Sequence, residues 1–148
     1  MFKRTIVATS TACLDQFPRP HSIRILRLSL HMEGKVLRDG VDITATQFQQ
    51  WQLQNPDKLA TSSPPSQSEM MRFFSDLVRD GYKEAIVLTI SSKLSQSYAN
   101  LEMICKIFSN RLKIHLFDTG AASFAEGVYA VAADKWLQEG MDTPAILY

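Results

Sequence analysis

The sequence predicts an α/β domain, a Rossmann-like three-layer arrangement with a mostly parallel sheet and helices packed on it. Three observations carry that reading. Short apolar runs alternate with segments of helical periodicity along the whole chain. The run Ala85–Ile90 is apolar without alternation, as a central parallel strand covered on both faces requires. Thr44 with Gln47, and Ser66 with Glu69, form capping boxes that open two of the intervening helices.

Taken in order, Thr5–Ala8 reads as a buried first strand, and Ile23–Leu30 as a second, with Leu26, Leu28 and Leu30 alternating against Arg27 and Ser29. Glu33-Gly34-Lys35 is a turn before a short returning strand at Val36-Leu37. After Asp39-Gly40, Thr44 caps the first helix, Ile43 and Phe48 occupy hydrophobic-staple positions, and Asn55-Pro56 ends it. Ala60–Ser66 is a loop by composition. The next helix carries Met70, Phe73, Phe74 and Leu77 on one face and stops at Asp80-Gly81.

Beyond the central strand, Ser91–Ser97 is a polar turn, followed by a helix with Leu101, Ile104, Cys105 and Phe108 at helical spacing. Leu112, Ile114 and Leu116 alternate with Lys113 and His115 as a half-covered strand would. An alanine-rich helix then runs to about Glu139, with Gly140 as its stop. Ala145–Tyr148 begins a further apolar element.

Bulk properties exclude several classes. The chain has 148 residues, enough for one domain, and its 45% hydrophobic and 21% charged content is ordinary globular usage. Its 16 basic and 15 acidic residues give a net charge of +1 and are scattered, so no nucleic-acid partner is expected. No stretch approaches the roughly 20 apolar residues that span a bilayer. Met1-Phe2-Lys3-Arg4 runs directly into a short strand and lacks an export signal's apolar core, so a cytoplasmic protein is expected. Cys13 and Cys105 have no metal or redox spacing and are expected as reduced thiols, without metal or cofactor.

The hydroxyls carry the functional signal. Thr9-Ser10-Thr11, Ser91-Ser92 and Asp118-Thr119 each follow a strand, and in an open parallel sheet these turns emerge at one C-terminal edge. Ser91-Ser92 and Asp118-Thr119 also lead into helices, whose free N–H groups favour an anion. The Thr61–Ser66 loop leads into a capped helix and can fold over the same edge. Together they make a donor-rich place for a carboxylate or phosphate. Taken one at a time, each cluster is more often a cap or a turn than a ligand site.

The competing chemistries lack their residues. The six glycines, Gly34, Gly40, Gly81, Gly120, Gly127 and Gly140, form no dinucleotide or phosphate loop. No Gly-x-Ser-x-Gly elbow occurs, and His21, His31 and His115 read as surface or sheet residues, not bases. Acidic residues such as Glu126 and Asp134 read as solvated helix faces. Met70, Met71, Phe73 and Phe74 read first as a helix face packed on the sheet, and second as one wall of an alkyl-chain tunnel. In such a tunnel each buried CH₂ contributes about 0.8 kcal/mol.

Four segments in order and in register resemble signatures of the DegV family: Asp39-Gly40-Val41-Asp42-Ile43, Thr61-Ser62-Ser63-Pro64-Pro65-Ser66, Ile90–Tyr98, and Phe117-Asp118-Thr119. The resemblance covers nearly the whole chain. It implies a long-chain fatty acid whose carboxylate is held by Thr61 and Ser62 with Ser91 and Ser92, and which is presented to a separate ATP-using fatty-acid kinase subunit for acyl phosphate formation. The protein itself would then be a carrier and not an enzyme. Thr9 departs from the family's usual aspartate, Pro64 from a glutamine, Gln96 from a glycine, and Thr119-Gly120 from a Ser-Lys pair. Family members are nearly twice as long, so residues 1–148 correspond to an N-terminal α/β domain without the second domain that completes the tunnel. The rival readings are a small phosphotransferase or hydrolase using the hydroxyl cluster, and a ligand-free interaction domain.

Overall fold

The computed structural model describes residues 2–148. In chain order its elements are β1 (Lys3–Thr9), two 3-10 turns (Ser10–Ala12 and Leu14–Gln16), β2 (Arg24–Leu26), β3 (Ser29–Met32), β4 (Lys35–Arg38) and α1 (Ala45–Gln54). There follow β5 (Thr61–Ser63), α2 (Gln67–Arg79), β6 (Tyr82–Thr89), α3 (Ser97–Phe108), β7 (Lys113–Asp118), α4 (Phe124–Gln138) and α5 (Thr143–Leu147).

The main sheet has the order β2-β1-β6-β7, every neighbour parallel. Its two central strands are covered on both sides, as the unbroken apolar run of β6 requires. Val7, Ala85 and Val87 pack against Met70, Phe74 and Leu77 of α2 and Leu101, Ile104 and Phe108 of α3. On the opposite face Ile6, Ala8, Ile86 and Leu88 meet Ala130 and Ala133 of α4 and Ile146 of α5. The domain is therefore the three-layer α/β arrangement that the sequence predicts.

Both capping boxes form. The Thr44 hydroxyl accepts from Gln47 N at 3.2 Å while Gln47 Oε1 accepts from Thr44 N at 2.8 Å. Ser66 and Glu69 repeat the exchange at 3.3 and 2.7 Å. The apolar tail becomes α5, capped by the Asp142 carboxylate with Pro144 in its first turn.

Two assignments change. Ile23–Leu30 is not one strand: β2 pairs with β1 only as far as Leu26 beside Thr9, and the Leu28 N–H is then taken by the Ser10 hydroxyl at 3.0 Å. From Ser29 the chain enters a second, antiparallel sheet of order β4-β3-β5. Thr61–Ser63, expected as loop, is the edge strand β5 of that sheet, paired with Ser29–His31 and stopped by Pro64-Pro65.

The acidic residues of α4 also differ from expectation. Glu126 is fully buried, its carboxyl accepting from Thr9 Oγ1 at 2.5 Å and Thr11 Oγ1 at 2.7 Å. Asp134 is buried as well, accepting from Ser22 N at 3.2 Å and Gln138 Nε2 at 2.8 Å. Gly127 makes the first arrangement possible. A Cβ there would lie 2.5 Å from the Ala12 carbonyl oxygen, so only glycine lets α4 approach the first 3-10 turn closely enough. His115 sits mid-strand, as expected, with Nε2 2.6 Å from Glu84 Oε1.

Burial pushes the Glu126 carboxyl above the ordinary glutamate value of 4.5, against the opposing pull of the Thr9 and Thr11 hydroxyls. A carboxyl raised on folding stabilises the fold fully below its unfolded value, and that contribution is lost as pH rises through the folded value. Glu126→Gln should therefore gain stability relative to the parent protein as pH rises from about 4 to about 8 in urea titrations. A pH-independent difference contradicts this. Phe74→Ala, at a fully buried ring between α2, α3 and the sheet, should cost about 3–5 kcal/mol in the same measurement.

Candidate functional site

Because all four strands of the main sheet run the same way, Thr9, Leu26, Thr89 and Asp118 end at one edge. Most hydroxyls there already have work within the chain. Thr9 Oγ1 accepts from Ile90 N at 3.4 Å, and Thr119 Oγ1 donates to the Thr89 carbonyl at 2.8 Å. The Ser91 backbone N–H donates to Ala121 O at 2.8 Å, and its carbonyl accepts from Leu94 and Ser95 in a tight turn. Ser95 Oγ then accepts from Ser97 N, opening α3.

The paired serines differ in what they have left to offer. Ser91 is buried, and its hydroxyl oxygen accepts from Lys93 N at 3.2 Å, which leaves its proton uncommitted in that contact. Ser92 Oγ donates to Asp118 Oδ2 at 2.5 Å, and its N–H also faces that carboxylate. The Ser92 hydroxyl, with the N–H of Gly120, holds the Asp118 carboxyl below the ordinary carboxylate range. Those donors favour the carboxylate form of Asp118.

Thr61 and Ser62 lie on the other sheet. Both are exposed, Thr61 opposite His31 and Ser62 opposite Leu30. Ser63, which the sequence reading passed over, faces Ser29 at the start of β3, where the chain arrives from the main sheet, and its hydroxyl lies 2.7 Å from His31 Nε2. Since Leu28 is tied to Ser10, the Ser63 end of β5 is the end nearest the main sheet's edge. Its strand register is the missing signal, and register arises only from tertiary pairing.

A cleft of about 470 Å³ opens beside the end of β1, lined by Ser10, Thr11, Cys13, Asp39, Thr44 and Thr46 among others. It shares Asp39 and Thr44 with a neighbouring cleft of about 610 Å³ that reaches Leu30 and Phe48. Gly40, at φ +73, brings the backbone against the ion pair of Arg27 and Asp15 on its rim. The sequence read Thr44 only as a cap, so this cleft was not anticipated. Of the candidate tunnel residues, Met70 and Phe74 are core, and Met71 and Phe73 pack partly against it. Phe73 also lines a separate cleft of about 730 Å³ with Ile25, Arg27, Arg38 and Arg72.

Both cysteines are free, and burial pushes the Cys105 thiol up to about 11. Among the described residues no cluster of three or more histidine, cysteine, aspartate or glutamate side chains could hold a metal ion. No described helix is long and apolar enough to cross a membrane.

Comparison with known proteins agrees with this architecture. The model of the DegV protein family matches residues 3–148. A DegV domain-containing protein of Clostridium acetobutylicum is 30% identical over 139 residues, which are 93% of this chain and 48% of that protein. A fatty-acid-binding DegV family protein from Thermus thermophilus superimposes with a TM-score of 0.83 at 28% identity, over 99% of this chain and 51% of that one. The Streptococcus pneumoniae fatty acid kinase B3 protein loaded with linoleic acid shares the fold at a TM-score of 0.79 and 19% identity, over 97% of this chain and 51% of that one. The chain spans about half the length of the curated relatives it matches. With a parallel α/β core, a hydroxyl-lined edge and a family match along nearly its whole length, the chain belongs to the DegV family.

Proposed function

We propose that this domain binds a long-chain fatty acid, holds its carboxylate on serine and threonine hydroxyls at the sheet edge, and presents it to a separate ATP-dependent kinase subunit. The observation that carries the reading is the likeness to the fatty-acid-binding Thermus thermophilus protein over 99% of the chain. The kinase partner is inferred from the shared fold with the Streptococcus pneumoniae fatty acid kinase B3 protein.

The residues proposed to hold the carboxylate are Thr61, Ser62, Ser91 and Ser92. Ser91 is the best placed of them: it is buried, follows the central strand and has a hydroxyl proton to give. Ser92 has first to leave Asp118, so it contributes less unless the turn moves. On β5 the exposed hydroxyls of Thr61 and Ser62 are proposed to complete the set. A carboxylate accepting two or three such donors binds without a cation, and the alkyl chain supplies most of the affinity.

In this reading the protein is a carrier, not an enzyme. A hydrolytic mechanism finds no base at the paired serines, because Ser92 faces a carboxylate held below its ordinary range while His31 and His115 bond Ser63 and Glu84. Lipid extracted from natively purified protein should contain long-chain acyl species by mass spectrometry. Ser62→Ala and Ser91→Ala should each lower that content several-fold, and Ser92→Ala should lower it less. Unchanged acyl content in all three variants would remove these hydroxyls from the site, and its absence from the parent protein would remove the function.

A further inference from the structure

Glu126 is a buried acid in the first turn of α4, a position the helix dipole favours for a carboxylate but which rarely encloses one fully. Its carboxyl is fully enclosed there, and among the described residues its hydrogen-bond partners are the hydroxyls of Thr9 and Thr11. The same Thr9 oxygen accepts from the N–H of Ile90, the residue before Ser91, while Thr11 lines the cleft beside β1. One hydroxyl therefore separates Glu126 from the turn proposed to hold an acyl carboxylate.

The surrounding groups do not neutralise it. The end of β1 and the first 3-10 turn present Thr9 and Thr11, and beyond them Cys13, whose sulfur lies 3.5 Å from Ser123 Oγ. Just past the end of β6, the Ile90 N–H reaches Thr9. Asp118 at the end of β7 is bonded to Ser92 and Gly120, with Lys93 the cation acting on it. Asp134, two turns along α4, is occupied by Ser22 and Gln138, and α5 faces Arg4 through Thr143. No lysine or arginine acts on Glu126 among the described residues.

We propose that Glu126 is the charge-selecting residue of the acyl site: a bound fatty-acid carboxylate and the Glu126 carboxyl share one proton. The inference rests on the carboxylate site proposed above. A carboxylate bound at that turn would be linked to the enclosed Glu126 through the Thr9 hydroxyl, and repulsion between the two charges favours uptake of one proton from solvent when the second arrives. The protonated acid keeps one hydroxyl partner as acceptor and turns the other toward the ligand. No covalent bond forms or breaks.

The test is calorimetric titration of the 148-residue chain and of Glu126→Gln with palmitate, in pairs of buffers that differ in ionisation enthalpy. Above the pH at which free Glu126 ionises, the parent protein should take up close to one proton per palmitate, and its affinity should fall up to about tenfold per pH unit. Glu126→Gln should take up none and hold its affinity within about twofold across the same range. Equal proton uptake by both proteins, or none by either, overturns the role of Glu126 and leaves the carboxylate site standing. Absence of palmitate binding by both proteins at every pH overturns the site as well. Should the variant fold poorly, the proton count of the parent protein decides alone, and a count of zero overturns the proposal.

Discussion

The pairing of β1 with β6, two parallel strands sealed on both faces, is the constraint from which the rest of the domain follows. Strands so enclosed end in buried backbone, and every N–H and carbonyl there must find a partner. Thr9 and Thr89, both fully buried, mark those ends. Thr9 receives the Ile90 N–H, Thr119 donates to the Thr89 carbonyl, and Ser91 N–H reaches Ala121. The edge is rich in hydroxyls first because the sheet needs them.

Function then rests on what the stitching leaves over. A hydroxyl can accept from the backbone and still donate its proton, and Ser91 is placed to do so. Ser92 is the counterexample, with its proton given to Asp118. The same edge carries one enclosed acid, Glu126, brought in by the close approach of α4 that Gly127 permits. Donors and a protonatable group thus sit on one framework. On the proposed reading, an anionic ligand would meet both, and the balance between them would set its affinity.

Much of this was legible in the sequence where local chemistry decides structure. The capping boxes at Thr44 and Ser66 are exchanges between residues three apart, and both form as read. The unbroken apolar run of β6 needs only its composition to be recognised. Where tertiary partners decide, the sequence was silent. The alternation of Ile23–Leu30 runs through the point where Ser10 breaks the strand, and nothing local marks the change of sheet. Thr61–Ser63 becomes a strand only because Ser29–His31 lies beside it. Glu126 looks like any acid of a helical first turn, and its burial depends on Thr9 and Thr11, more than a hundred residues earlier.

The central claim is that a fatty-acid carboxylate sits on hydroxyls at this edge. Carbon NMR of carboxyl-labelled palmitate, added to the protein and to its Ser91→Ala variant, observes that carboxylate itself. A single protein-bound carboxyl resonance in the parent, displaced or lost in Ser91→Ala, is the predicted result. A bound resonance indifferent to Ser91, or palmitate that stays entirely in its free and aggregated forms, would contradict the account.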